Sequence, residues 1–150
     1  MNDNNNLAQL FVFFNEVGII NQLASSSFER VMPEGLTQSQ FSVLNNFVRL
    51  GGTRTPAQLA SAFQVTRGAM TNTLGKLQLR GCVRIVEDTE DRRRKIVSIT
   101  AKGKALRERA VKATFPVFNE IAGVLSEKDV NLVLPVLQRV RQYLDVHREK

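Results

Sequence analysis

Cysteine and histidine occur once each in this 150-residue chain, as Cys82 and His147. That scarcity excludes an internal disulfide, and it leaves no ligand cluster for a metal, no HExxH helix and no nucleophile–base pair. Neither GxGxxG nor GxxxxGK[ST] occurs, so no glycine loop for cradling phosphates is announced. Carboxylates such as Glu16, Glu29 and Asp145 are scattered, with solvated or ion-paired roles as their default. An enzyme is therefore not expected, nor a metal. One thiol suits a reducing cytoplasm, where the chain is expected to work. Long apolar runs are also missing: Leu10–Phe14 is cut by Asn15 and Glu16, against the roughly 20 residues a membrane span needs. The start, Met1-Asn-Asp-Asn-Asn-Asn6, lacks the basic residues of a secretory signal. No membrane partner is expected, and there is no internal repeat.

What is present is a 43% apolar composition, enough to build a core, and a net charge of +7 spread unevenly. Residues 1–65 hold 3 Lys/Arg against 4 Asp/Glu, residues 66–104 hold 10 against 4, and residues 105–150 hold 8 against 6. Nearly all the excess lies in the middle segment. A basic stretch so concentrated favours a polyanionic partner, because neutralising phosphates releases condensed counterions.

Helical periodicity dominates. Residues 7–32 are apolar on nearly every side and must be covered on nearly every side; Pro33-Glu34-Gly35 then breaks the pattern. Thr37-Gln-Ser-Gln40 has capping-box spacing and opens a second helix that Gly51-Gly52 stops. Thr55-Pro56-Ala57-Gln58 repeats the device for a third. After Gln64-Val65, Thr66 caps a fourth helix that ends at Gly81, and this pair joined by a short turn has helix-turn-helix character. Cys82–Val86 and Lys95–Ile99 are predicted strands of a hairpin with a charged tip. Thr100 caps a helix expected to run to about Leu125, and Ser126 starts another. Pro116 and Pro135 should kink these or move a boundary. The fold class is mainly α (α+β), one domain over 1–150.

The fourth helix carries Gly68 and Gly75, each costing about 1 kcal/mol relative to alanine inside a helix. With Met70, Leu74 and Leu77 turned inward, Gly68, Asn72, Gly75 and Leu79 fall on the far side, bordered by Thr71 and Lys76. Bare backbone flanking an asparagine permits close approach to another surface. In a DNA major groove Asn72 reads adenine, Thr71 meets a thymine methyl or a phosphate, and Arg67 or Lys76 holds backbone or guanine. The alternative is that the glycines pack against a neighbouring helix, which Leu79 mildly favours, or are simply tolerated. Asp91-Arg92-Arg93-Arg94-Lys95 places four cations at the hairpin tip, suited to the negative potential of a narrow minor groove. A solvated turn with Glu90–Arg pairing is the competing reading.

The pattern Val65-Thr66…Met70-Thr71…Leu74…Leu77…Arg80-Gly81, followed by Asp91-Arg92-Arg93…Val97-Ser98-Ile99-Thr100…Gly103, resembles the multiple antibiotic resistance regulator (MarR) family of winged-helix transcription factors. The likeness covers nearly the whole chain. It implies a winged helix-turn-helix at 37–100 and long dimerisation helices at 7–32 and 101–147, forming a homodimer through Leu10, Phe11, Phe14 and Val17 and through Val130, Leu134, Leu137 and Leu144. It further implies double-stranded DNA carrying an imperfect palindrome, read by recognition helices roughly 34 Å apart. Arg54, Thr66, Arg67, Gly68, Ala69, Thr71, Asn72, Gly75, Lys76, Asp91, Arg92, Arg93, Arg94 and Lys95 make the DNA-binding set, with Arg93 in the minor groove. A repressor released by a small aromatic or phenolic effector is the function implied. Asn72 stands where the family often has arginine, and Cys82 where a bulky apolar residue usually follows the glycine.

Two other readings stay open at this point. One is a winged-helix module that docks on protein without a specific DNA site; the other is a regulator that senses oxidants through Cys82, against which its place beside apolar Val83 suggests a buried, inert thiol.

Overall fold

The computed structural model describes residues 3–147. It divides into two compact units, one ending at Thr114 and one beginning at Phe115. The first contains α1 (Asp3–Val31), a 3-10 turn (Pro33–Gly35), α2 (Gln38–Leu50), α3 (Pro56–Phe63), α4 (Arg67–Leu79), β1 (Val83–Glu87), β2 (Lys95–Ile99) and α5 (Ala101–Ala113). The second contains α6 (Phe115–Ile121) and α7 (Glu127–Val146).

Local chemistry sets most helix starts. The hydroxyls of Thr37, Thr55, Thr66, Thr100 and Ser126 each accept a hydrogen bond from the backbone N–H three residues on. The boxes at Thr55–Gln58 and Ser126–Asp129 close in both directions. The one expected at Thr37–Gln40 does not: Gln40 is buried, and its side-chain oxygen has no partner among the described residues. Burial of the α2 face draws the amide inward, away from the cap. Gly81, at φ +69°, lets α4 end in a Schellman motif, with Cys82 N–H donating to Leu77 O at 2.9 Å and Gly81 N–H to Gln78 O at 2.9 Å. Cys82 therefore sits in the turn, and β1 starts one residue later than predicted.

The single helix expected from Thr100 to about Leu125 is instead two. α5 ends at Ala113, where Thr114 N–H and hydroxyl both turn back to Val111 O, at 3.1 and 2.6 Å. Pro116 then occupies the first turn of α6, where its missing N–H costs nothing. Pro135, by contrast, stays inside α7.

β1 and β2 pair antiparallel, with Val83 opposite Ile99 and Glu87 opposite Lys95. Val83 and Val97 are buried and Ile85 half-buried, whereas Arg84 between them faces out. Arg54 adds a bridge to Val97, its N–H donating to Val97 O at 3.1 Å and Val97 N–H returning to Arg54 O at 2.8 Å. The core of this unit is Leu36, Val43, Leu44, Phe47, Leu59, Leu74, Leu77, Val97 and Leu106, with Met32, Met70 and Val83 at its edges. Burial of these side chains, at about 1.5–3 kcal/mol each for a full-sized one, holds the helix-turn-helix to the hairpin.

α1 is exposed over most of its length, with its last turns half-buried and Phe28 against the core, and α7 is exposed over nearly all of its own. Leu10, Phe11, Phe14 and Val17 on one, and Val130, Leu134, Leu137 and Leu144 on the other, all stand open in the single chain. Read over its whole length rather than as the run Leu10–Phe14, α1 corrects the expectation that it falls short of a membrane span: Asn5–Val31 is long and apolar enough to cross one. An apolar helix waiting for a protein partner passes the same test.

Candidate nucleic-acid interface

α3, the turn through Gln64 and Val65, and α4 form the helix-turn-helix. Gln64 reverses the chain in a left-handed conformation, φ 55°, and Val65 N–H caps Ala60 O at 3.0 Å. Met70, Leu74 and Leu77 face the core, as their spacing predicts. Thr66, Arg67, Gly68, Ala69, Thr71, Asn72 and Lys76 are exposed and Gly75 is half-buried. A Cβ built on Gly68 or Gly75 meets nothing within 4 Å, and Leu79 is 90% exposed. Packing of the glycine face against another helix of this chain is thereby overturned. The hydroxyl protons of Thr71 and Thr73 are committed to Arg67 O and Ala69 O, at 2.8 and 3.1 Å. Thr71 can then offer DNA its methyl group or its oxygen lone pair.

At the hairpin tip Asp91 does two jobs. Its Oδ1 accepts from Arg93 N–H at 3.0 Å, an Asx turn, and from Arg93 Nε at 3.3 Å. Neither terminal guanidinium nitrogen has a partner among the described residues, and the Arg93 side chain is 92% exposed. Asp88 lies 4.0 Å from Arg94 Nε. Pairing at the tip thus falls to Asp91 and Asp88 rather than to Glu90, and at such exposure these pairs orient more than they stabilise. Arg92 is exposed, as is Lys95 at the start of β2.

Two clefts join these parts. One, of about 400 Å³, is lined by Thr55, Pro56, Ala57, Arg67, Thr71, Arg93, Arg94 and Lys95. Four cations and the start of α3 converge there, a favourable setting for phosphate oxygens. The other, about 520 Å³, lies between α4 and the hairpin and includes Leu74, Gly75, Ile85 and Val86. Arg54 does not join this group: its guanidinium donates to Gly51 O at 3.0 Å and Thr53 O at 2.8 Å, closing the end of α2. The role of Pro56 and Ala57 as cleft wall goes beyond what the sequence pattern suggests. Their capping box marked the helix start but not its neighbour, the hairpin tip.

Cys82 is fully buried, its thiol directed to Arg80 O at 3.8 Å. Burial raises its pKa, opposed by the nearby cations Lys102 and Arg80. Among the described residues no group of three or more His, Cys, Asp or Glu is placed to hold a metal ion.

A model of the MarR family matches residues 34–94. The transcriptional activatory protein BadR of Rhodopseudomonas palustris is 28% identical over 86% of this chain and 75% of its own. The crystal structure of the transcriptional regulator BldR from Sulfolobus solfataricus superposes with a TM-score of 0.77 at 26% identity, over 95% of this chain and 99% of that one. A cysteine-to-serine mutant of MarR from E. coli, complexed with operator DNA, has the same fold at 24% identity, with a TM-score of 0.71 over 88% and 95% of the two chains.

Proposed function

Because the chain is a winged-helix transcriptional regulator of the MarR family, and not an enzyme, we propose that it acts as a homodimer on double-stranded DNA carrying an imperfect palindrome. α4 enters the major groove through its bare, polar face, and the hairpin is the wing, with Arg93 in the adjacent minor groove. The observation that carries this reading is the Arg93 side chain: 92% exposed, gripped among the described residues only through Nε by Asp91, and sharing a cleft with Arg67, Arg94 and Lys95. The E. coli relative of the same fold is complexed with operator DNA, which supports double-stranded DNA as the partner. The uncovered apolar faces of α1 and α7 support the dimer.

Repression is the proposed default, since two helices and two wings on successive grooves occlude a promoter; the name of the BadR relative associates activation with a similar chain. A small aromatic or phenolic effector fits the half-apolar cleft between α4 and the wing, whose size is in the range of ligand pockets. A protein working on DNA in this way is placed in the cytoplasm. The burial of Cys82 disfavours oxidant sensing.

Selection of bound sequences from random DNA tests the proposal: a two-fold symmetric consensus competed only by like sequence is expected. Arg93→Ala should weaken binding to it and lower the dependence of log affinity on log salt by about one. No consensus, or an unchanged salt slope, sinks the reading.

A further inference from the structure

We infer that Arg80 is a positioning residue that fixes the half-site spacing the protein accepts, by bolting the end of the recognition helix to the turn that ends α1. The inference rests on the dimer and palindrome proposed above.

Arg80 is the residue that caps the end of α4, yet its side chain leaves the DNA face. One terminal nitrogen of its guanidinium donates to Glu34 O at 2.9 Å and the other to Gly35 O at 3.4 Å. Both acceptors belong to the 3-10 turn, where Glu34 and Gly35 are successive left-handed residues, φ 56° and 67°. A glutamate rarely adopts that backbone unless its surroundings hold it there. Here Met32 and Leu36 anchor the turn in the core on either side. Arg109 of α5 also takes the Glu34 carboxylate at 2.7 Å. Three elements thus meet on one turn, and Arg80 is the link that belongs to α4. A planar fork serves two carbonyls at once; a lysine ammonium lacks that geometry.

The mechanical consequence follows from length. α1 has 29 residues, so its far end lies about 40 Å from the bolt, and a tilt of about 5° between α1 and α4 shifts it by about one base-pair rise. If α1 joins the two copies, the angle that Arg80 holds becomes the separation of two recognition helices.

The test uses the full chain and duplexes built from the selected half-site, at the selected spacing and at one base pair more or less. Wild type is expected to discriminate against the altered spacings by roughly tenfold or more. Arg80→Ala should keep its affinity for a single half-site within about twofold but reduce the spacing discrimination to about threefold or less. Glu34→Asn keeps both carbonyls, tolerates the left-handed backbone and removes only the carboxylate, so it should retain wild-type discrimination. Undiminished discrimination in Arg80→Ala overturns the proposal. So does a parallel loss of half-site affinity, which would make Arg80 a mere support for α4, or an equal loss in Glu34→Asn, which would assign the effect to the ion pair. A wild-type monomer, or one indifferent to spacing, sinks the proposed function together with this one, whereas a spacing-selective wild type whose Arg80→Ala variant is just as selective sinks only this one.

Discussion

Gly103→Ala should destabilise the protein, although alanine is the better helix former. A Cβ at that position would overlap Cys82 O outright and lie 2.9 Å from Ile99 Cγ1 and 3.0 Å from Cys82 C. The obstacle is backbone, and that carbonyl already accepts Thr100 N–H at 3.0 Å, while the Thr100 hydroxyl donates to Gly81 O at 2.7 Å. Making room means moving the start of α5 off the end of α4. Overpacking costs about 1–3 kcal/mol and each lost hydrogen bond about 0.5–1.5, offset by about 1 kcal/mol of helix propensity, for a net of about 3 kcal/mol. In a chain of this size that lowers the melting temperature by about 6–12 °C. Thermal melts followed by circular dichroism at fixed protein concentration read it directly. The internal control is Gly75→Ala, where a Cβ meets nothing within 4 Å and the same substitution should stabilise by up to about 1 kcal/mol. A Gly103→Ala protein melting within about 2 °C of wild type would refute the reasoning.

Three further expectations are open to direct measurement. Asp91→Ala releases Arg93 from its orienting carboxylate and should weaken operator binding by less than Arg93→Ala does; the reverse order in a gel-shift titration would contradict the Asx-turn role. Because burial holds the Cys82 proton more tightly in the folded chain than in the unfolded one, stability should fall as pH rises above the ordinary thiol range, about pH 8.5 and upward, and Cys82→Ser should flatten that fall in urea titrations. Asp129 is held below the ordinary carboxylate range by hydrogen bonds from the Ser126 hydroxyl and N–H; its contribution to the α7 cap is present above that range and lost as pH falls through the depressed value, so Ser126→Ala should move the Asp129 titration upward in carboxyl NMR.

The helix starts were legible because a cap is settled within four residues: Thr55, Thr66, Thr100 and Ser126 act where their spacing places them. Met70, Leu74 and Leu77 were legible because a helix period is a local property as well. Gln40 was not, since whether an amide turns back to its cap or inward depends on what the rest of α2 buries. Pro116 announced an interruption without saying where; Thr114 decided it by folding its own polar groups back onto Val111. The cationic cleft was half legible, its arginines named by the hairpin but the α3 wall supplied only by tertiary packing. Arg54 shows the converse, a cation whose charge pattern fits a DNA contact but one of whose terminal nitrogens donates to two carbonyls at the end of α2. Arg80 stood in the pattern only as the residue before Gly81, its bonding role unannounced, because its partners are 46 and 45 positions away.

The two hydrogen bonds between Arg54 and Val97 give the two-stranded wing a one-residue bridge at its root. From Val97 inward the hairpin is splinted to the chain that launches α3, so root and helix-turn-helix must travel as one piece. From Asp88 to Arg94, among the described residues, only carboxylate staples and short turn bonds hold the loop. Accommodation to grooves of differing width therefore belongs to the fingertip, while the knuckle stays set.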